Sequence, residues 1–186
     1  MTSLIHDKGV TVWFTGLPCS GKTTIADKIA EIMKKEGYRI ERLDGDIVRK
    51  GLTSDLGYSK KDRIENIRRV TFVAKLLTRN GVIVLATFVS PYKSQRILSR
   101  SEIGSFIEVY VKCSLEECMR RDVKGMYKKA LAGEIKDFTG INDPYEEPDQ
   151  PELVLDTNNE QLNESVHKVL KKLCENGYYK KLPDLK

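Results

Sequence analysis

Histidine is nearly absent from the 186 residues, with only His6 and His167. The four cysteines, Cys19, Cys113, Cys118 and Cys174, show no Cys-x-x-Cys spacing. That argues against a structural zinc site or a disulfide framework. No apolar run approaches the roughly 18 residues of a membrane span, and the N-terminus lacks a secretory apolar segment. The expectation is a soluble, cytoplasmic protein without a membrane partner. There is no internal repeat, low-complexity tract or linker. A net charge of +5 suits anionic ligands, but the cations are dispersed and form no continuous basic stripe with interleaved aromatics, so no nucleic-acid partner is expected. The length fits one domain spanning residues 1–186.

What the chain does have is a phosphate cradle. Gly16-Leu17-Pro18-Cys19-Ser20-Gly21-Lys22-Thr23-Thr24 fits G-x-x-x-x-G-K-[ST] and follows the β-branched, apolar run Val10–Thr15. The two glycines allow a bend in which successive backbone N–H groups face one phosphate, Lys22 reaches the β- and γ-phosphates, and Thr23 can ligate Mg²⁺. A nucleoside triphosphate is the expected ligand.

Apolar residues at helical spacing predict a helix from Thr24 to Glu36, stopped by Gly37. Tyr38–Leu43 alternates like a strand and runs into Asp44-Gly45-Asp46. A long helix is expected from Ser59, its N-cap, to Asn80, with Ile64, Ile67, Val70, Val73, Ala74 and Leu77 facing inward. Strands follow at Val82–Ala86, Phe106–Val111 and Leu153–Asp156. Helices are expected at about 92–102, 114–121 and 159–176, the last using Leu162, Val166, Val169, Leu170 and Leu173. Alternating strands and helices imply an α/β fold, a three-layer sandwich around a five-stranded parallel sheet with right-handed crossovers.

Phosphoryl transfer requires Mg²⁺, cations on the moving group and a residue that handles the acceptor proton. Asp44 and Asp46, at the carboxyl end of a strand where α/β ligands bind, can orient the metal and take a proton, in that order or the reverse. Arg120, Arg121 and Lys124 fall in a lid-like segment, about 119–136, followed by a Pro- and Gly-broken loop, about 136–151. Arg49, Arg63, Arg68 and Arg69 exceed what a helix face needs, so some are expected to pair with carboxylates and a minority to bind substrate. Tyr58 and Phe138 lie in predicted loops where an aromatic can stack on a base.

In combination the blocks Gly16–Thr24, Leu43-Asp-Gly-Asp-Ile-Val-Arg49, Leu56-Gly-Tyr-Ser59, Asp62-Arg-Ile-Glu-Asn-Ile-Arg-Arg69, Phe88-Val-Ser-Pro91, Arg121-Asp-Val-Lys-Gly125 and Phe138-Thr-Gly-Ile141 resemble the adenylyl-sulfate kinases. The resemblance covers about residues 9–158. It implies a P-loop kinase that moves the γ-phosphoryl of MgATP to the ribose 3′-hydroxyl of adenylyl sulfate, in sulfate assimilation, and commonly a homodimer. Carried over, Asp46, Arg49, Arg63, Asn66, Lys124 and the backbone at Val89 and Ser90 would hold adenylyl sulfate, with Tyr58 and Phe138 sandwiching its adenine. Arg121 would close over ATP, and Thr157 would lie at the ATP base.

Ser90 is treated in some members as a phosphorylated intermediate. In-line transfer by P-loop and metal needs no such relay, and a hydrogen bond from Ser90 to substrate is expected instead. The chain departs from the family at Tyr58, where Phe is usual, at Ile47, where Asn is usual, and in Pro18-Cys19-Ser20, where smaller residues are usual. Two alternatives stand beside this reading: a P-loop kinase for another small acceptor, and a nucleotide-binding module without turnover. The absence of an Asn-Lys-x-Asp signature counts against a GTPase switch.

Overall fold

The computed structural model describes residues 8–180, 182 and 183, so His6 lies outside the described residues. Five strands form one all-parallel sheet: β1 (Val10–Thr15), β2 (Ile40–Asp44), β3 (Ile83–Thr87), β4 (Phe106–Lys112) and β5 (Leu153–Asp156), in the order β2-β3-β1-β4-β5. The chain passes from β1 to the edge strand β2, fills the gap with β3, then crosses to the other side of β1 for β4 and β5. This reversal opens a crevice beyond the carboxyl end of β1, where the Gly16–Thr24 loop begins.

Because strand side chains alternate, β1 feeds two cores. Val10, Val12 and Phe14 meet Ile25, Ile29 and Met33 of α1 (Lys22–Lys35) and Val166, Val169, Leu170 and Leu173 of α7 (Leu162–Glu175). Trp13 points the other way and packs with Ile67, Val70 and Ala74 of α3 (Lys60–Arg79) and with Phe88 and Phe106. Its ring stacks on Phe88 and Phe106 at 5.5 and 5.8 Å. The expected three layers and five strands are therefore present, with α4 (Lys93–Ile103) beside α3.

The inward stripe of α3 differs from the sequence expectation. Ile64 is exposed, whereas Thr71 and Thr78 are buried. Their hydroxyls meet Ser99 and Thr11 respectively, each at 2.7 Å, so polar atoms enter the interface as satisfied pairs. Leu162 of α7 is likewise partly exposed, at the mouth of the crevice.

Two short helices lie where periodicity was too brief to read. In α2 (Gly45–Lys50), Asp44 is the N-cap, its carboxylate accepting from the Asp46 amide. In α6 (Met126–Leu131), which follows α5 (Leu115–Arg121), the Asp122 carboxylate accepts from the amides of Tyr127 and Lys128. In each an Asp carboxylate meets first-turn amides, from the N-cap in α2 and from three residues before the Gly125 N-cap in α6, a feature that sequence periodicity does not weigh. A third apolar cluster, containing Cys113, Cys118, Tyr127, Ala130 and Phe138, sits beneath this lid region, with Leu17 and Cys19 packed against it.

Candidate active site

The phosphate loop is shaped by two glycines. Gly16 has φ +151° and lies so close to β4 that a Cβ would stand 2.4 Å from the Val111 carbonyl oxygen; Gly21, with φ +98°, precedes the first residue of α1. Cys19 is itself left-handed at φ 61°. Lys22 is folded back into the loop, donating to the carbonyls of Gly16 (3.0 Å) and Leu17 (2.6 Å) and to Ser20 Oγ (3.3 Å). Burial lowers its pKa to about 8, against smaller opposing effects from nearby Cys118, Cys19 and Asp44.

Across from this loop, Asp44 is buried and fully engaged. Its Oδ2 accepts from Thr23 Oγ1 at 2.9 Å and from Thr87 Oγ1 at 2.8 Å, and its Oδ1 from the Asp46 amide at 3.0 Å. Burial pushes the carboxyl upward, but the hydrogen bonds from Thr87, Asp46 and Thr23 and the charge of Arg42, 3.8 Å away, outweigh it and hold the pKa below the ordinary value. The carboxylate is thus kept ionised beside the Thr23 hydroxyl, the hard-oxygen pairing that Mg²⁺ favours when phosphates and water complete its shell. Thr23 and Asp44 fit that ion. Asp46 differs: its carboxylate is exposed and, among the described residues, meets only the Lys124 ammonium.

These groups line one cleft of about 590 Å³. Of the residues singled out from sequence, Pro18, Cys19, Gly21, Lys22, Thr23, Thr24, Asp44, Asp46, Arg49, Tyr58, Arg63, Asn66, Val89, Ser90, Arg121, Lys124 and Thr157 all face it. Gly16, Leu17 and Ser20 of the same loop do not line the cleft: Ser20 is buried, and Leu17 packs against the cluster of Cys118, Tyr127 and Phe138. Arg121 donates to the Thr157 carbonyl at 2.6 Å, and Thr157 Oγ1 donates to the Ser20 carbonyl at 2.9 Å, so the α5 end and the β5 end close on the back of the phosphate loop. Arg120 turns outward to Glu117.

On the acceptor side, Arg49 is held by the carbonyls of Leu56 and Gly57 and lies over the Tyr58 ring, 4.2 Å from its centroid. Arg63 reaches Tyr58 O, Thr139 Oγ1 and Asp137 O, joining α3 to the loop after the lid. Asn66 is buried and accepts from Thr53 at 2.7 Å. The expectation of paired arginines applies to Arg68 and Arg69, which meet Glu65 and Asp55 and leave Arg49 and Arg63 for the cleft.

Two placements differ from expectation. Phe138 is buried rather than open to the cleft, its ring meeting Tyr127 edge-on at 4.9 Å, because the loop that carries it folds onto α6. Ser90 is 2 % exposed; its hydroxyl donates to Thr15 Oγ1 and accepts from Trp13 Nε1, each at 3.1 Å. Only its backbone is left to serve the cleft. Sequence reasoning missed Thr87 and Arg42, since a Thr at a strand end and an arginine within a strand carry no local signal of what they meet in space.

The sequence model described as adenylylsulphate kinase matches residues 8–156. Adenylyl-sulfate kinase from Picosynechococcus sp. is 59% identical over 174 residues, covering 94% of this chain and 98% of its own. The enzyme of the same name from Halothermothrix orenii is 58% identical over 173 residues, covering 93% and 94%. The APS kinase CysC of Mycobacterium tuberculosis, solved in complex with AMPPNP and APS, has a TM-score of 0.86 and 42% identity, covering 89% of this chain and 98% of that one. With its phosphate loop and paired aspartates arranged as described, the chain belongs to the adenylylsulphate kinase family.

Proposed function

We propose that the protein transfers the γ-phosphoryl group of MgATP to the ribose 3′-hydroxyl of adenylyl sulfate, giving 3′-phosphoadenylyl sulfate and ADP in sulfate assimilation. The observation that carries this reading is the convergence on one cleft of the Lys22–Thr23–Asp44 cluster with Asp46, Arg49, Arg63 and Lys124. Anion-binding backbone and a lysine serve the phosphates. The same cleft holds an exposed carboxylate and three further cations, which suits an anionic acceptor that must lose a hydroxyl proton.

The triphosphate would displace Lys22 from its loop carbonyls and take its ammonium as a partner, while amides at the α1 N-terminus face the phosphates. Thr23 and Asp44 would hold Mg²⁺, which when bound neutralises charge on the phosphates. Asp46 is the better placed of the two aspartates to accept the proton, because Asp44 is enclosed by three donors and Asp46 is open to the cleft. Arg121, tied to Thr157, would cover the nucleotide. Tyr58 offers a half-exposed ring to the acceptor's adenine, and Phe138 would join it only by leaving Tyr127. A cytoplasmic homodimer is part of the same reading.

Measuring ADP formation with adenylyl sulfate, adenylate, gluconate and shikimate as acceptors tests it. Turnover should require adenylyl sulfate, and turnover confined to another acceptor overturns the assignment.

A further inference from the structure

Arg96 of α4 is 2 % exposed, and its guanidinium is spent on three separate segments. Nε donates to Glu108 Oε1 of β4 at 2.8 Å, one terminal nitrogen to the Ser90 carbonyl at 2.5 Å, and the other to the Glu146 carbonyl at 2.6 Å. Its plane also lies 5.7 Å from the centre of the Tyr145 ring. Ser90 belongs to the turn after β3 that lines the cleft, and Glu146 to the segment that follows Phe138, Thr139 and Gly140.

Other bonds link the same two segments. The Glu146 amide donates to the Pro91 carbonyl at 2.8 Å, and Tyr92 Oη donates to Asp143 at 2.9 Å. Thr15 gives its single proton to the Val89 carbonyl, so Tyr145 Oη donates to Thr15, the residue before Gly16. Ser90 has φ +39°, a conformation that a non-glycine residue keeps only when its surroundings hold it there.

A buried ion pair such as Arg96–Glu108 contributes little net stability, because desolvation offsets the attraction. Its geometry is better explained by what the guanidinium aligns. We propose that Arg96 is a positioning residue that fixes the Val89–Pro91 backbone against the 137–147 segment, and so sets the acceptor wall of the cleft while leaving the phosphate loop alone. The inference rests on the kinase reading above for its kinetic consequence, but the alignment itself can be read without any acceptor.

Arg96→Lys retains the charge opposite Glu108 but gathers its donors on one nitrogen, which does not reproduce the spread of the guanidinium across Glu108 and the two carbonyls. Arg96→Met with Glu108→Gln removes both charges, so that no unpaired buried carboxylate confuses the result. In both variants KM for adenylyl sulfate should rise about tenfold with KM for ATP within about twofold, Arg96→Lys being the milder. Amide hydrogen exchange at residues 138–147 should quicken in both, while exchange in α1 stays unchanged. Unchanged exchange at 138–147, or KM values for both substrates that stay level while only thermal stability falls, would overturn the proposal. If the wild type showed no turnover with adenylyl sulfate, the reaction assignment would fail, and hydrogen exchange would still decide whether Arg96 aligns the two segments.

Discussion

The indole N–H of Trp13 donates to Ser90 Oγ at 3.1 Å, turning the serine hydroxyl toward β1 and away from the cleft that its backbone lines. The hydroxyl's own proton goes to Thr15 Oγ1 in this arrangement. In the free protein the hydroxyl is therefore engaged with β1, whereas the sequence expectation is a hydrogen bond to substrate.

Ser90→Ala should therefore keep turnover within about tenfold of the wild type. The same change strands the Trp13 N–H in a buried site, which costs about 1–3 kcal/mol of stability. Steady-state kinetics and denaturant unfolding read the two effects separately. A phosphoserine that forms and decays at the turnover rate, or a rate loss beyond about a thousandfold, would restore the covalent route.

Lys22 gives a pH signature. Its pKa is about 8 in the folded free protein and 10.5 in the unfolded chain. Between those values the unfolded state binds more protons, so this residue's contribution makes stability rise with pH from about 8 to 10.5. Lys22→Met removes the titration and should be the more stable protein at pH 7, with an advantage that shrinks across that window. Phosphates would pull the proton back, so ATP affinity should weaken above pH 8 and binding should take up a proton. Calorimetry in buffers of different ionisation enthalpy measures that uptake, and none above pH 8 would contradict the assignment.

The long helices were legible from their 3.6-residue period, the strands from short apolar or alternating runs, and the phosphate loop from its Gly-x-x-x-x-Gly-Lys-Thr motif. Phe138 and Ser90 were not. Both belong to blocks that fix which residues are present, whereas the direction of each side chain depends on partners far away in sequence, Tyr127 on α6 and Trp13 on β1. Arg42 and Thr87 escaped notice for the same reason, since their significance appears only when β2 and β3 bring them to Asp44.

The two aspartates separate by experiment. Asp44 shares its Oδ2 with the Thr23 hydroxyl, so Asp44→Asn should raise the Mg²⁺ concentration needed for half-maximal ATP binding by about ten- to a hundredfold. Asp46→Asn should leave that concentration unchanged and lower kcat by about 10² to 10⁴. Titrating Mg²⁺ against ATP binding in both variants assigns the roles, and the opposite pattern would exchange them.

Lys124 meets Asp46 across the cleft, yet their side chains are 62% and 66% exposed. A pair so open to water contributes no more than about 1 kcal/mol to folding. Lys124→Met should therefore leave the unfolding midpoint nearly unchanged. Its role is expected in the complex, where the ammonium meets an anionic acceptor out of bulk water, and a charge-assisted hydrogen bond of about 1.5–3 kcal/mol corresponds to about ten- to a hundredfold in KM for adenylyl sulfate. KM for ATP should stay level, because Lys22 and the loop amides hold the nucleotide. If KM for adenylyl sulfate did not move, or rose only in proportion to lost stability, Lys124 would be a surface charge with no part in holding the acceptor.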